Sequence, residues 1–393
     1  MNHAARNVFL LTCCQALLFT NNVTLISLNG LAGFALADNK ALATLPVTGY
    51  VLGAAISTYP ASMWMRRVGR RNGFLTGTLF GLAGGAITTL AIHQSSFWLL
   101  VFGTLVLGTY NAFGQYYRFA AADATPLGWR ARAISLVMAG GLVGGIIGPE
   151  MSKHTIDLAR PTYLASFASL MGFCLVTMVI LSFLRIPDHR NEEEHGPARP
   201  LQEIMAQPVF VVAVVVAALG YGVMNLLMTS TPLAMGFCGH PYAAAASVIS
   251  AHVIAMFGPS FFTGSLIHRF GVLNVMMAGV AMMFACVGIA LSGQQVTNFW
   301  WSLVLLGVGW NFMYVGGTTL LTEAYQPAEK AKAQGANEII IFCTVATSSF
   351  TSGVVVNSSG WNTLSYVALP FLAIAGAAAL WLASRRRAAR AAA

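Results

Sequence analysis

Charged side chains are scarce in this sequence: Asp, Glu, Lys and Arg make up only 8% of its 393 residues, whereas 57% are hydrophobic. An ordinary soluble domain carries about 25% charged residues. A chain of this length with so little charge cannot cover its surface with groups that water solvates. This shortage excludes an ordinary soluble protein and predicts that the lipid bilayer is the solvent for most of the chain.

The few charges leave long stretches without any. Eight stretches lack Asp, Glu, Lys and Arg altogether: 7–37, 41–65, 72–117, 133–149, 161–184, 204–268, 270–322 and 339–384. A helix needs about 20 apolar residues to cross about 30 Å of hydrocarbon, so the stretches that begin at 72, 204, 270 and 339 can each hold two helices. Helices are expected because lipid offers no partner to unpaired backbone groups. The sequence therefore predicts twelve transmembrane helices, at residues 8–30, 43–65, 74–92, 97–121, 132–152, 162–184, 208–231, 243–266, 273–292, 298–321, 334–356 and 361–384.

Other absences exclude whole classes of function. No Gly-x-x-x-x-Gly-Lys-Ser/Thr loop is present, so ATP is not expected to drive the protein. The His, Asp and Glu residues form no nucleophile–base set and no metal-ligand spacing, so we expect no enzyme, no metal and no other cofactor. Five of the six cysteines fall within predicted spans, which speaks against a disulfide framework.

Basic residues are distributed unevenly along the chain. If both termini are cytoplasmic, seventeen Lys and Arg residues lie on the cytoplasmic side and only three, Lys40, Lys153 and Arg160, lie outside. Cytoplasmic loops of membrane proteins carry such an excess, so we predict this orientation, in a bacterial inner membrane. The net charge of +9 then follows from topology, and no nucleic-acid partner is expected.

One polar linker divides the chain into two similar halves. Residues 186–206 are charged and rich in proline, and they separate a predicted domain at 1–185 from one at 207–393. Three motifs recur at an offset of about 200 residues. Residues 62–69 match 264–271, residues 123–133 match 323–333, and the pair at 110–111 matches the pair at 310–311. The repeats indicate duplicated six-helix halves.

Twelve spans, a central linker and duplicated halves resemble the Major Facilitator Superfamily. The loop after the second span supports this, because Gly69, Arg70 and Arg71 match the basic half of the family's loop motif, although Arg66 stands where the family has an acid. The resemblance implies an all-α integral membrane protein of two pseudo-symmetric six-helix bundles. It also implies alternating access of a small molecule to a site at the bundle interface, with a complete pathway in one monomer.

The resemblance also implies a cytoplasmic gate. An acid and a base seven residues apart, Asp123 with Arg130 and Glu323 with Lys330, match the residues that hold the cytoplasmic ends of the family's halves together. Arg118 and Glu338 lie near the same side, and we predict that they form a bridge between the halves. Two alternatives remain open: Arg118 binds an anionic substrate, or it pairs with Asp123 at one helix end.

Glycines recur at every fourth position in the fifth span, at Gly140, Gly144 and Gly148, followed by Pro149. This run resembles the motif of efflux antiporters in the family. Glycine at this spacing also lets another helix approach closely, so ordinary helix packing is the alternative. Import and export both remain open.

Polar residues inside the predicted spans mark the expected substrate cavity, since such groups are costly in lipid and normally face a cavity or a partner helix. They share helical faces on spans 1, 4, 7 and 10, which line the cavity in the family. The predicted cavity residues are Gln15, Phe19, Asn22, Tyr110, Asn111, Gln115, Tyr221, Asn225, Trp310 and Asn311. For each single amide, an interhelical hydrogen bond is the alternative. Amides beside aromatic rings suit a neutral or amphipathic organic molecule.

Two further ionisable residues are candidates for carrying a coupling proton: His252 in the eighth span and Glu150 at the outer end of the fifth. The sequence thus predicts a secondary active transporter of a small organic solute, coupled to protons. A transporter-like sensor or assembly partner without transport is the alternative, and a membrane enzyme is a third class that the residues do not favour.

Overall fold

The computed structural model describes residues 3–39, 42, 45–186 and 198–391. Most of the predicted linker, residues 187–197, lies outside the described residues, as does Lys40. In the described ranges the regular elements are helices, with no strand. In chain order they are α1 His3–Leu36, α2 Leu45–Val68, α3 Arg70–His93, α4 Phe97–Gly114, α5 Tyr117–Asp123, α6 Arg130–Thr155, α7 Leu164–Ser182, α8 Leu201–Ala206, α9 Pro208–Phe237, α10 Tyr242–Phe257, α11 Ser260–Phe270, α12 Val272–Ser292, α13 Val296–Leu321 and α14 Lys330–Ala391, with short 3₁₀ helices at Leu127–Trp129 and Pro327–Glu329.

These helices cover all twelve predicted spans. Of the helices that the structure describes, nine are long and apolar enough to cross a membrane, and α10 with α11 form a tenth as a bent pair. The 62 residues of α14 hold the last two predicted spans, and α2 covers the second. The all-helical expectation is therefore confirmed.

Two predicted spans contain breaks that hydrophobicity alone does not show, and a third break separates the last two spans. The eighth bends by 42° between α10 and α11, where Pro259 has no N–H to continue the helical hydrogen bonds. The fourth breaks between α4 and α5, where the Tyr116 N–H donates to the Phe113 carbonyl at 3.2 Å, a tighter turn than the α-helix. In α14, Gly360 has non-helical angles, φ 77° and ψ 179°, and separates the last two spans.

The chain divides into two compact units. Unit 1 comprises Met1–Leu127, Leu136–Pro197 and Pro327–Ile339, and unit 2 comprises Gly128–Ser135, Ala198–Gln326 and Ile340–Ala393. The units thus follow the duplicated halves except for two short segments, each of which joins the other unit. The boundaries at 185 and 207 stay a prediction.

Within unit 1, α4 packs against α2 and α3, and α7 packs against α1 and α3. The glycines of α6 pack against α1. A methyl group at Gly144 would lie 2.5 Å from the Phe19 Cβ, and one at Gly148 would lie 2.7 Å from the Val23 Cβ. Such contacts are too close for any side chain, so the glycine run has a full explanation in helix packing.

Within unit 2, α13 is the central helix and packs against α9, α10 and α12. The segment 128–135 also docks here. The Ser135 hydroxyl donates to the Ser260 carbonyl and accepts the Gly264 N–H at 3.0 Å. This hydroxyl therefore satisfies backbone groups of α11 close to its bend.

We predict that Gly360→Ala destabilises the protein by about 1–3 kcal/mol, because its backbone angles lie in a region that glycine alone occupies readily. A Cβ at this position would contact nothing within 4 Å, so strain in the backbone is the cause tested. Thermal unfolding of the purified protein in detergent measures the effect. Gly353→Ala is the matched control, since Gly353 lies in the same helix with equally open space. A Gly360→Ala variant as stable as this control would contradict the prediction.

Candidate functional site

Three amides form a hydrogen-bonded row inside unit 1. The Asn22 Nδ2 of α1 donates to the Asn111 Oδ1 of α4 at 2.9 Å, and the Gln115 Nε2 donates to the same oxygen at 3.1 Å. The Tyr50 hydroxyl of α2 donates to the Asn22 Oδ1 at 2.5 Å. We call Asn22, Asn111 and Gln115 the amide row. Together with Tyr50, it joins three helices through groups that lipid could not satisfy.

The row ends at a buried ion pair. The Arg118 guanidinium donates to the Gln115 Oε1 at 3.2 Å and to the Glu338 Oε1 at 2.5 Å. Only 2% of the Arg118 side chain and 1% of the Glu338 side chain are exposed. Asn337 Nδ2 also donates to this carboxylate, at 2.6 Å. A buried charge is tolerable only with a partner of this kind, so the predicted Arg118–Glu338 pair exists in the structure, while its role as a gate stays a prediction.

The other predicted gate residues have different partners. Asp123 lies 3.0 Å from Arg70 and 3.4 Å from Lys330, all within unit 1. Arg70 also donates to the Gln334 Oε1 at 2.6 Å. In unit 2, Glu323 pairs with Arg386 at 2.6 Å, and Arg130 belongs to this unit as well. Each acid therefore lies beside a base other than the one seven residues along the chain.

Three predicted cavity residues of unit 1 lie outside the amide row. The Phe19 Cβ packs against Gly144, and the Gln15 Cβ lies 3.3 Å from a Cβ placed on Gly140. Tyr110 is 1% exposed and packs between Gly81 and α7. These side chains face helix-packing surfaces, although Gln15 and Phe19 remain on the span that carries Asn22.

In unit 2, Asn311 serves the bent helix pair. Its Nδ2 donates to the Met256 carbonyl at 2.7 Å and to the Ser260 hydroxyl at 2.5 Å, and its Oδ1 accepts the Thr263 hydroxyl at 2.7 Å. Asn311 is fully buried. Both ends of its amide are used, so this residue bridges the break between α10 and α11 instead of belonging to a polar row like its sequence counterpart Asn111.

Aromatic rings cluster beside Asn311. Trp310 stacks on Tyr314 with ring centres 5.0 Å apart and planes 17° apart. Tyr221 and Phe257 meet the Trp310 ring edge-on, at 5.4 Å and 5.6 Å. We call these four residues the aromatic cluster. Trp310 is 1% exposed, and its Nε1 has no hydrogen-bond partner among the described residues.

Asn225, the remaining predicted cavity residue, links α9 to α14. Its Nδ2 donates to the Ser348 hydroxyl at 3.0 Å. A cavity of about 330 Å³ lies next to this contact, lined mainly by apolar groups of α9 and α14, among them Leu219, Val223 and Phe371, together with Thr344. This cavity belongs wholly to unit 2.

The two proposed proton carriers differ in their surroundings. His252 is fully buried; its Nδ1 lies 2.7 Å from the Leu303 carbonyl, and its Nε2 has no hydrogen-bond partner in the described part of the chain. Glu150 is 53% exposed and pairs with Lys153 at 2.5 Å on the same helix. Over the described residues, no cluster of His, Cys, Asp and Glu could hold a metal ion.

Two residues of unit 1 were missed at the level of sequence. Tyr50 lies in a predicted span but was not counted among the polar residues. Asn29 is fully buried, and neither of its amide atoms has a hydrogen-bond partner among the described residues. Its spacing was an available signal, because Gln15, Asn22 and Asn29 follow one another at intervals of seven residues on one helix face.

We predict that Asn29→Leu raises the melting temperature, since a buried amide without partners costs about 1–3 kcal/mol for each unsatisfied group. Asn21→Leu is the matched control. Asn21 is also buried in α1, but its Nδ2 donates to the Leu170 carbonyl at 3.1 Å, so the same substitution should lower the melting temperature. Thermal unfolding of both variants checks this, and a loss of stability in Asn29→Leu would show that the amide has a partner.

Comparisons with known proteins agree on the class of this chain. A family model described as the Major Facilitator Superfamily matches residues 8–316 and 239–393. The riboflavin transporter RfnT of Brucella anthropi is 42% identical over 374 residues, which cover 94% of each chain. An uncharacterized MFS-type transporter of Bacillus subtilis, YddS, is 28% identical over 86% of this chain and 82% of its own.

Solved structures show the same fold at low identity. The E. coli fucose:proton symporter FucP has a TM-score of 0.75 with 15% identity, over 95% of this chain and 98% of its own. The human organic anion transporter MFSD10 has a TM-score of 0.78 with 12% identity, over 96% of this chain and 99% of its own.

Proposed function

Because the chain belongs to the Major Facilitator Superfamily and is thus a secondary transporter, we propose that the molecule it carries is riboflavin. The observation that carries this proposal is the 42% identity to a riboflavin transporter over 94% of both chains. The similarity extends over both sequence halves, so it includes every helix that could contact a substrate.

The chemistry of each unit suits such a molecule. Riboflavin is uncharged, with a flat three-ring system, a polar edge of carbonyl and N–H groups, and a chain of hydroxyls. In the aromatic cluster of unit 2, Tyr221 is the one half-buried ring, and a flat ligand ring could pack against it. The amide row of unit 1 offers neutral hydrogen-bonding groups. Neither feature requires a charged substrate, which favours a gating role for Arg118 over recognition of an anion.

We further propose that transport is coupled to protons through Glu338. This carboxylate is buried in a spanning helix and faces Arg118. Protonation would remove its negative charge, weaken the ion pair and leave the guanidinium free to change partners. Asp123 with Arg70 and Lys330 would hold the neighbouring cytoplasmic end in the same state. His252 and Glu150 are the alternative carriers of the proton.

The remaining expectations complete this proposal. The protein would act as a monomer in a bacterial inner membrane with both termini in the cytoplasm, as the basic residues favour. The two six-helix domains, 1–185 and 207–393, would alternate in access around the linker at 186–206.

Uptake of labelled riboflavin tests the proposed function. Cells that can neither make nor import riboflavin should accumulate it in a saturable manner when they express this chain, and a protonophore should abolish the accumulation. Purified protein in liposomes with an imposed pH gradient should do the same. Riboflavin uptake that persists without the gradient would contradict proton coupling but not the identity of the substrate. Absence of both uptake and riboflavin binding would exclude riboflavin as the substrate and favour the sensor function.

We predict that reversing one charge of the buried pair, as in Arg118→Glu or Glu338→Arg, abolishes transport, because a buried charge beside a like charge costs about 3–5 kcal/mol or more. The double variant Arg118→Glu/Glu338→Arg restores the attraction and should recover part of the uptake. Surface expression and uptake are measured together, with reversal of an exposed acid outside the site, Asp157→Arg, as the control. A double variant as inactive as the single ones, yet equally well folded, would contradict a pairing role.

A further inference from the structure

We propose that Arg118 is a positioning residue that fixes the direction of every hydrogen bond in the amide row, so that Asn111 offers its Nδ2, a hydrogen-bond donor, to the transported molecule. The inference rests on the proposed transport of riboflavin for the identity of that molecule. The direction of the row, however, follows from the structure alone and can be tested without any ligand.

The Arg118 guanidinium sets the direction of the first hydrogen bond of the amide row. Arginine carries N–H donors and no acceptor, so the Gln115 atom that faces Arg118 at 3.2 Å has to be the oxygen Oε1. The Gln115 Nε2 therefore turns toward Asn111, to which it donates at 3.1 Å. Glu338 holds Arg118 from the other side at 2.5 Å, and this second contact keeps the guanidinium in place.

The contact with Gln115 in turn sets the orientation of the Asn111 amide. The atom that meets the Gln115 Nε2 must be an acceptor, which is Oδ1. The Asn22 Nδ2 donates to the same oxygen at 2.9 Å, while the Asn22 Oδ1 accepts the Tyr50 hydroxyl at 2.5 Å. If Asn111 turned over, its NH₂ group would face two other NH₂ groups. Two donors therefore converge on one oxygen and hold the Asn111 amide in a single orientation.

One amide group of the row is left over. Both ends of Asn22 and both ends of Gln115 are engaged, whereas the Asn111 Nδ2 forms no hydrogen bond to another residue that the structure describes. Asn111 also retains 7% exposure. A site that presents a donor selects a ligand with an acceptor. On riboflavin, the two ring carbonyls of the polar edge are acceptors, and the group between them, N3–H, is a donor.

The first experiment needs no ligand. Asn111→Asp and Asn22→Asp are isosteric and affect side chains of nearly equal exposure, 7% and 8%. The carboxylate at 111 can still accept both of its donors. The carboxylate at 22 would place one oxygen against the Asn111 Oδ1. We expect Asn22→Asp to melt at least about 2 °C below Asn111→Asp. The reverse order would overturn the assigned direction.

The second experiment uses riboflavin analogues with the purified full-length protein, read out by quenching of flavin fluorescence. Sulfur in place of a ring carbonyl oxygen weakens that acceptor, whereas 3-methylriboflavin has a methyl group instead of the N3–H donor and keeps both carbonyl acceptors. We expect 2-thio- or 4-thioriboflavin to bind about tenfold more weakly than riboflavin, and 3-methylriboflavin to bind within about threefold of it. Asn111→Asp should lose riboflavin binding. Weaker binding of the methyl analogue than of both thio analogues would overturn the inference.

Variants of Arg118 separate positioning from a structural role. Arg118→Lys keeps a side chain with donors only. The ratio between the affinity for the thioriboflavins and the affinity for 3-methylriboflavin should therefore stay as in the wild type, even if both affinities fall. Arg118→Gln lets Gln115 and Asn111 turn over, so the ratio should approach one. An unchanged ratio in Arg118→Gln would overturn the positioning role. If the wild-type protein binds no flavin but the two Asp variants melt in the expected order, riboflavin is excluded as the transported molecule. The assigned direction of the hydrogen bonds in the amide row is then still supported.

Discussion

A guanidinium inside the hydrocarbon region needs an acceptor beside it, and Arg118 finds one in Glu338. Much of unit 1 depends on this requirement. The pair attaches the first turns of α14 to α5, and it brings Asn337 onto the same carboxylate. Because arginine can only donate, its contact with Gln115 also sets the direction of the hydrogen bonds that continue through the amide row to Tyr50. One charged contact thus organises five helices.

Residues at equivalent positions of the two duplicated halves have different hydrogen-bond partners. Asn111 and Asn311 correspond in sequence, yet Asn111 belongs to the amide row, which with Tyr50 joins three helices, while Asn311 satisfies the backbone and hydroxyls at a bend. The bend explains the difference. Pro259 interrupts the helix in unit 2, and at this bend the Met256 carbonyl accepts a hydrogen bond from the Asn311 Nδ2.

A similar divergence appears in the helices that carry small residues. Gly144 and Gly148 let α6 press against Phe19 and Val23 in unit 1. Two hundred residues later the chain has Thr344 and Ser348, and in unit 2 these side chains border a cavity of about 330 Å³. There α9 still contacts α14, because the Asn225 Nδ2 donates to the Ser348 hydroxyl at 3.0 Å. The two units therefore share a topology while differing in the kind of contact that these helices make.

The polar members of the site were within reach of sequence reasoning, and their partners largely were not. Asn111, Gln115 and Arg118 share a helical face, so their grouping could be predicted from spacing, and the link to Glu338 followed from a family resemblance. Tyr50 escaped because a tyrosine in a span normally counts as an apolar side chain. Tyr110 was assigned to the cavity because it precedes Asn111, but neighbours in a helix point about 100° apart, and it packs against α7 instead.

Membrane insertion is a property of local composition. For that reason the uncharged stretches of the chain were sufficient to predict twelve helical spans, and the helices of the described residues cover them. Hydrogen bonds are a property of distances in space, where a gap of 220 residues between Arg118 and Glu338 closes to 2.5 Å. Only the tertiary structure could therefore decide which amides pair, which serves a helix break, and which one keeps a free donor among the described residues.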